Sequence, residues 1–397
     1  MRARPVVAAV FGLGVLLPLP GNGADALAVD PADPRFVGRG DLLLKLRHSP
    51  HDYFRFINPS FAAATCSLFA DVVDRLPEVN LHGDAHIEQY TVTNLGRGLS
   101  DFDDCTRGKA VIDLVRLGTS ILIAARERNW TSQEEQFVSD FLKGYRDGLR
   151  VERMEMPMPQ LVTRVRNSFR WDHAGALRQA NALIDKAPLP SDFFADGVAR
   201  FDELVRFGRQ LPADYFKVKR IGGLTMGVGS ALDEKYLILF EGQTASNDDD
   251  MVVEAKQIRD LQGNPCLRTD IGASRVLDGA RLISYEPFAY AAVVPHRDKY
   301  FWMHDWTDDY QEASINSILR APKDLRQISY DAGVQLGRAH PKRPDGTRDK
   351  ERCKESLASL KQLEPRIRLA IREMAGRTDA AWRAFVRAAT PEGPKAP

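Results

Sequence analysis

The chain has 397 residues, 44% of them hydrophobic and 27% charged, a composition that folds as a globular protein with room for two lobes around a cleft. Its 55 basic and 54 acidic residues leave a net charge of +1, so no basic field directs it to nucleic acid or to a membrane surface. Four scattered cysteines, Cys66, Cys105, Cys266 and Cys353, form no C-x-x-C pair; they give no support for a structural zinc site and leave bridges and free buried thiols both open.

The chain begins with "MRARP", an apolar run "VVAAVFGLGVLLPLP" and then "GNGADALAVD". A basic start, a short apolar segment and small residues at a junction are the order of a secretory leader. Ala26-Leu27-Ala28 fits an A-x-A cleavage site, with Ala24-Asp25-Ala26 as the alternative. The apolar run is too short and too proline-rich to span a bilayer comfortably. Residues 1–28 are therefore expected to be a cleaved signal peptide, and the mature chain to be periplasmic or secreted with no stable membrane span.

Beyond an exposed lead-in, "GDLLLKLRHSPHDYFRFINPSFAAATCSLFADVVDRL" has helical apolar spacing, interrupted or capped at Asn58, Pro59 and Ser60. "EVNLHGDAHIEQYTVTNLG" reads as strand, loop, strand, and "GLSDFDDCTRG" as a polar turn. A hairpin here would bring the loop and the turn together. "KAVIDLVRLGTSILIAARERN" and "SQEEQFVSDFLKGYRDGLR" are helices, the second with acids early and bases late, as the helix dipole favours. Residues 150–215 read as helical or irregular connection. Then "YFKVKRIGGLTMGVGSALDEKYLILFEGQ" alternates around glycines as a hairpin, "MVVEAKQIRD" is a strand, "GASRVLDGARLISY" a helix, and "YAAVVPHRDKYFWMHDW" a strand pair. The rest is mostly helical. The expected class is α+β: a helical catalytic lobe over residues 29–205, a smaller antiparallel-sheet lobe over 206–312, helices over 313–389 returning to the helical lobe, and a disordered tail over 390–397.

The chemistry concentrates in "HGDAHIEQY" and "SDFDD". Phosphoryl transfer needs one carboxylate to orient or deprotonate the attacking hydroxyl and another to hold magnesium against the phosphates. Asp84 is the candidate for the first role, and Asp101, assisted by Asp103, for the second. Kinases do this work with H-R-D-x-x-x-x-N and D-F-G. Phosphotransferases of the aminoglycoside and choline kinase type use a related H-G-D-x-H-x-x-N pattern, which His82, Gly83, Asp84 and His86 match, with Gln89 at the asparagine position. Asp113, in "VIDLVRL", resembles the aspartate that braces such a loop from the following helix. "GGLTMGVGS" supplies a glycine loop able to approach phosphates closely, with Gly223, Gly227, Gly229 and Ser230 as candidates. "VVEAK" puts Lys256 on the next strand as a phosphate clamp, and Asp278, in "RVLDGARL", is placed to pair with it. Each element alone is common. The glycine loop and lysine follow the catalytic loop instead of preceding it, the order of a circular permutation.

In that order the chain resembles the family called domain of unknown function 2252. The family's G-D-A-H, N-D-F-D-E and D-L-x-R-L segments are echoed by Gly83–His86, Ser100–Asp104 and Asp113–Leu117, and its later G-V-G-S and A-R-A-H segments by "GVGS" and by "GRAH" at Gly337–His340. The resemblance spans roughly residues 35–345 and implies a kinase-like two-lobed fold, circularly permuted. It also implies Mg2+ and ATP or another nucleotide as cofactors, and a hydroxyl on a small molecule or protein as acceptor.

Two rival readings stand beside it. A kinase-fold binding protein without transfer activity fits Gln89 in place of asparagine, Asp278 in place of a longer glutamate, and a leader that sends the chain where ATP is scarce. A metallohydrolase would converge His82, Asp84 and His86 on one ion. Trp302, Met303, His304 and Trp306 read as core or as a base clamp, Cys105 as a buried thiol, Arg55 as a phosphate contact or surface cover, and His86 as a residue that orders its loop by hydrogen bonding.

Overall fold

The computed structural model describes residues 25–389 apart from 153–155, 171, 245, 262–263 and 287. The first helical stretch is three helices: α1 (Gly40–His48), α2 (Pro50–Phe56) and α3 (Asn58–Leu68). Proline stands in the first turn of both α2 and α3, where its missing N–H costs nothing, and the Ser49 hydroxyl caps α2 by accepting from Asp52 N. Strands β1 (Glu78–Leu81), β2 (Tyr90–Thr93), β3 (Arg97–Leu99) and β4 (Thr106–Lys109) follow. Next come helices α4 (Val111–Glu127), α5 (Glu134–Arg150), α6 (Gln160–Arg166) and α7 (His173–Lys186), strand β5 (Pro188–Leu189) and helix α8 (Ala195–Arg209). Strands β6 (Val218–Gly223), β7 (Lys235–Phe240) and β8 (Met251–Gln257) lead to α9 (Arg275–Ile283). The chain ends with β9 (Ala291–His296), β10 (Lys299–Asp305), β11 (Tyr310–Glu312), α10 (Pro322–Ala339) and α11 (Lys350–Ala388). The fold is α+β with antiparallel sheets.

The largest sheet has the order β5-β6-β7-β8-β10-β9. Strand β7, "KYLILF", is buried along its whole length because both faces are covered. Tyr236, Ile238 and Phe240 join Phe194, Val198 and Phe201 of the α8 region on one face. Leu237 and Leu239 meet Leu177, Ala180 and Ile184 of α7 on the other. Helix α7 and most of α8 precede residue 206, so the sheet is packed largely by a segment that the sequence alone assigns to the helical lobe.

A separate and larger core joins α1 to α5 with α10 and α11. Helices α5 and α10 approach until backbones touch: a Cβ on Gly144 would lie 2.1 Å from Tyr330 O, and one on Gly337 would lie 2.2 Å from Tyr145 O. Only glycine permits that distance. The crossing carries Tyr145 to His340, which the site below requires.

Strands β1 and β2 do not form the expected hairpin. β1 pairs with β4, while β2 pairs with β3 and β11. The segment between β1 and β2 therefore leaves one small sheet and enters another, and the Asp101 turn reaches it by connecting β3 to β4. The two-residue-step pattern identified β1 and β2 but not their partners β3, β4 and β11, strands of three or four residues that are too short to show a period.

Cys66 of α3 and Cys266 of the segment after β8 form a disulfide across a sequence separation of 200, while Cys105 and Cys353 are free and buried. The bridge fastens the helical core to the segment leading into α9. Most of the expected leader and the whole 390–397 tail lie outside the described residues. The expected junction at Ala28 does not: Leu27 is fully buried, its carbonyl accepts from the Tyr53 hydroxyl at 2.7 Å, and Asp25 pairs with Arg377 at 2.7 Å. Either expected junction would remove a contact: cleavage after Ala28 would strip the buried Leu27, and cleavage after Ala26 would strip Asp25 and its pair with Arg377. Among the described residues no helix is long and apolar enough to cross a membrane.

Replacing Cys66 and Cys266 together by alanine is expected to lower unfolding stability by about 2–5 kcal/mol relative to the oxidised protein. Urea unfolding measures it; a midpoint unchanged by substitution or by reductant would mean the bridge does not hold the fold.

Candidate functional site

The site is built on the loop after β1. Asp113, in the first turn of α4 and fully buried, accepts from His82 N at 2.7 Å and from Gly83 N at 2.9 Å. His340 donates from Nε2 to the same carboxylate at 3.1 Å, and its Nδ1 accepts from the Tyr145 hydroxyl at 2.9 Å. Burial alone would push this carboxyl up; the bond from His340 and the nearby His82 hold it below the ordinary value. Gly83 has φ +83° and a Cβ there would lie 2.0 Å from Asp104 O, so the loop and the acidic turn touch through a position only glycine can fill. Asn58 joins the same two segments, donating to Gly83 O at 3.2 Å and to Asp104 at 2.9 Å.

This bracing delivers Asp84 to a cleft of about 320 Å³ between the helical core and the six-stranded sheet. Arg116, one turn along α4 from Asp113, donates to Asp84 Oδ1 from Nε at 2.9 Å and Nη2 at 2.7 Å. The guanidinium lies 3.6 Å from the Phe54 ring centroid, which fixes its plane. Oδ2 is left facing the cleft, 3.7 Å from where a Cβ on Gly229 would stand. Burial raises the Asp84 carboxyl above the ordinary value despite Arg116. His86 also lines the cleft with both ring nitrogens buried and unpartnered, its Nε2 4.0 Å from Asp84 Oδ2. Burial holds it well below its ordinary value, so the ring is neutral. It does not order the loop by side-chain hydrogen bonds, contrary to expectation.

Across the cleft, Lys256 of β8 donates to Asp101 at 2.9 Å and lies 3.5 Å from Asp103 and 3.9 Å from Glu254. Asp101 holds φ +62°, a left-handed conformation that costs on the order of 1 kcal/mol outside glycine and concentrates at functional sites. Burial would raise its carboxyl, and Lys256 brings it well down; burial and the neighbouring Asp101 push Asp103 up. Trp302 is buried and donates from its indole to Asp103 at 2.6 Å, so it positions the acidic turn from the core. His304 stacks 4.2 Å from Trp302 with Nε2 unpartnered, and burial pushes it down to about 4. Trp306 donates to Glu254 at 3.0 Å and also lines the cleft.

A family model for domain of unknown function 2252, described as an uncharacterised protein conserved in bacteria, matches residues 43–188 and 194–388. The chain belongs to that family. No curated protein and no solved structure matches it.

Of the residues singled out in this DUF2252 protein, Asp84, Gln89, Asp101, Asp103, Gly227, Gly229, Ser230 and Lys256 line one cleft. Gln89 is buried there with Oε1 unpartnered. His82 and Asp113 do not reach the cleft: His82 is fully buried and donates from its ring to Ser100 O at 2.9 Å, so both are positioning residues. That bond turns His82 away from Asp84 and removes the three-ligand metallohydrolase arrangement. Among the described residues no group of three or more His, Cys, Asp or Glu side chains is arranged to hold a metal ion. Gly223 lies at the end of β6 beside Ala187, outside the cleft. Asp278 does not meet Lys256: it is half-exposed and pairs with Arg281 at 3.2 Å. The inward position of α9 is Arg275, which donates to Asp103 O at 3.0 Å, to Cys105 O at 2.6 Å and to Arg259 O at 2.9 Å.

Several contributors carried no assigned role in the sequence. Arg116 and His340 stand inside the motifs "DLVRL" and "GRAH", so their spacing was the available signal. Lys235, Asn58 and Arg259 stand in no motif. Arg259 bonds the Gly229 carbonyl and Asp233, pinning the glycine loop over Asp84.

Glu88 secures the loop's far end, accepting from Ile315 N at 3.0 Å and lying 3.4 Å from Arg55 and from His51. Burial would raise this carboxyl, but His51 and these hydrogen bonds lower it from 4.5 to about 2. A lowered folded-state value means stability that is complete above the unfolded carboxyl's range and lost as pH falls toward about 2. Glu88→Gln is therefore expected to cost up to about 3 kcal/mol at pH 7 and progressively less below pH 4. Urea midpoints of both proteins across that range test it; a pH-independent difference would separate Glu88 from acid stability.

Proposed function

We propose that the protein is a kinase-like phosphotransferase, moving a phosphoryl group from a nucleotide to a hydroxyl acceptor, on a circularly permuted two-lobed kinase-like fold. The observation that carries the reading is the Lys256–Asp101 ion pair at 2.9 Å in the cleft that also exposes Asp84. A strand lysine, a glycine-rich turn, a loop aspartate and a second aspartate in a D-F-D turn come from distant parts of the chain and face one space. The strand order glycine loop, lysine strand, helix, two strands, each in sequence, supports the permuted lobe.

Each residue has a role its geometry supports. Asp84 Oδ2 is free to accept the acceptor's proton while Arg116 fixes Oδ1, and burial makes the carboxylate a stronger base. The glycine loop, held down by Arg259, covers the phosphate end. Magnesium would be held by the carboxylates of Asp101 and Asp103 with Gln89 beside them, oxygen donors of the kind the ion takes together with phosphates and water. Such an ion would neutralise charge on the phosphates.

The expected location, periplasmic or secreted, is part of this proposal; the Cys66–Cys266 bridge supports it, since disulfides persist in oxidising compartments. A second reading, a binding protein of this fold without transfer, is favoured by Asp278, which pairs with Arg281 and leaves Lys256 without a carboxylate partner from α9.

Thermal shift with magnesium and a nucleotide panel separates the two from the absence of any nucleotide site. Nucleotide with magnesium is expected to raise the melting temperature of the wild type, and Asp101→Ala to abolish that rise. Asp84→Asn is expected to keep nucleotide binding and reduce turnover by about 100-fold or more. Binding without turnover in the wild type against an acceptor panel supports the binding-protein reading, and no binding in a folded sample defeats both.

A further inference from the structure

Lys235 opens β7, and the register β7–β8 sets it directly opposite Lys256. Like charges facing each other across a strand pair are destabilising, more so when shielded from water. Lys256 is compensated by Asp101, Asp103 and Glu254. Lys235 is not. It is 6% exposed, and among the described residues its ammonium forms no ion pair; it donates to the Met226 carbonyl of the glycine loop at 2.8 Å. A Cβ on Gly227 would stand 3.2 Å from its Nζ, so the ammonium lies against the loop itself. It lines the same cleft as Asp84, Asp101 and Ser230. Burial and then Lys256 lower its proton affinity, outweighing the opposing pull of Glu254, Asp103 and Asp101.

We propose that Lys235 is a second phosphate-binding cation, and that the missing counter-ion is the polyphosphate of a nucleoside triphosphate. This rests on the phosphotransferase reading and sharpens it. The Met226 carbonyl, a neutral acceptor, holds the ammonium until a charged oxygen replaces it. Releasing that carbonyl frees the glycine loop to settle on the phosphates. Two lysines on adjacent strands would grip more than one phosphate, favouring a triphosphate over a monophosphate.

Titration calorimetry of wild type and Lys235→Met with magnesium-ATP, adenosine and magnesium tripolyphosphate tests this, with melting temperature of the unliganded proteins as control. The variant is expected to bind magnesium-ATP at least tenfold more weakly, to bind adenosine as the wild type does, and to melt no lower, since it loses a buried charge that faces Lys256 and forms no ion pair of its own among the described residues. Equal affinity for magnesium-ATP overturns the assignment and leaves the phosphotransferase reading standing. Weakened binding of both ATP and adenosine with a lowered melting temperature also overturns it, making Lys235 a structural tie for the loop. If the wild type binds no nucleotide, the phosphotransferase reading falls; tripolyphosphate binding that Lys235→Met removes then keeps the anion site, and no binding of either ligand overturns both. Lys235→Gln, which retains a donor to Met226, repeats the comparison if the methionine variant does not fold.

Discussion

The arrangement depends on one buried carboxylate. Asp113 satisfies two backbone N–H groups of the loop that carries Asp84, and His340 with Tyr145 closes the network behind it. Each donor would be costly to bury alone, so the loop has one low-energy path past α4. One turn further along the same helix, Arg116 meets Asp84. Helical spacing thus converts a sequence separation of three into a brace and a clamp on consecutive loop residues. The glycine contact between α5 and α10 belongs to the same device, because without that closeness Tyr145 would not reach His340.

A second set of ties sets the sheet against the helical core. Arg275 gathers three carbonyls at the acidic turn and the segment after β8, and Arg259 reaches from that segment to Gly229 and Asp233. Arg39 donates to Ala231 O from the other side, and Val228 enters the helical core. The disulfide anchors the far end of the same segment. The glycine loop is therefore held by contacts to both halves of the molecule.

Much of this was legible before the structure. Local spacing gave α4, α5, β7 and β8, since each has a periodic apolar pattern and little else competing. That Asp84, Asp101 and Lys256 would share one cleft was legible from motifs with fixed short intervals. Long-range choices were not. The pairing of β1 with β4, the covering of the sheet by α7 and α8, and the joining of Cys66 to Cys266 are set by packing between segments whose own patterns are compatible with several partners. Asp278 illustrates the limit: its position on a helix after the lysine strand was right, but the phase of α9 points Arg275 inward and leaves Asp278 to the solvent side. Lys235 carried no motif; only strand register gave it meaning.

The braces of the loop come from the opposite end of the chain. Asn80 donates to Lys342 O at 2.7 Å, Tyr90 to Asp331 at 2.6 Å, and His340 to Asp113 across a separation of 227 residues. A ribosome finishing residue 127 has made Asp84, Asp101 and Asp113 but none of these partners. Non-local contacts of this kind are slow to close and are rewarded only late. The cleft therefore cannot be assembled from the N-terminal third, and a chain truncated before α10 would hold every motif aspartate without the carboxylate network that positions them. Assembly of the site is in this sense a checkpoint on complete synthesis.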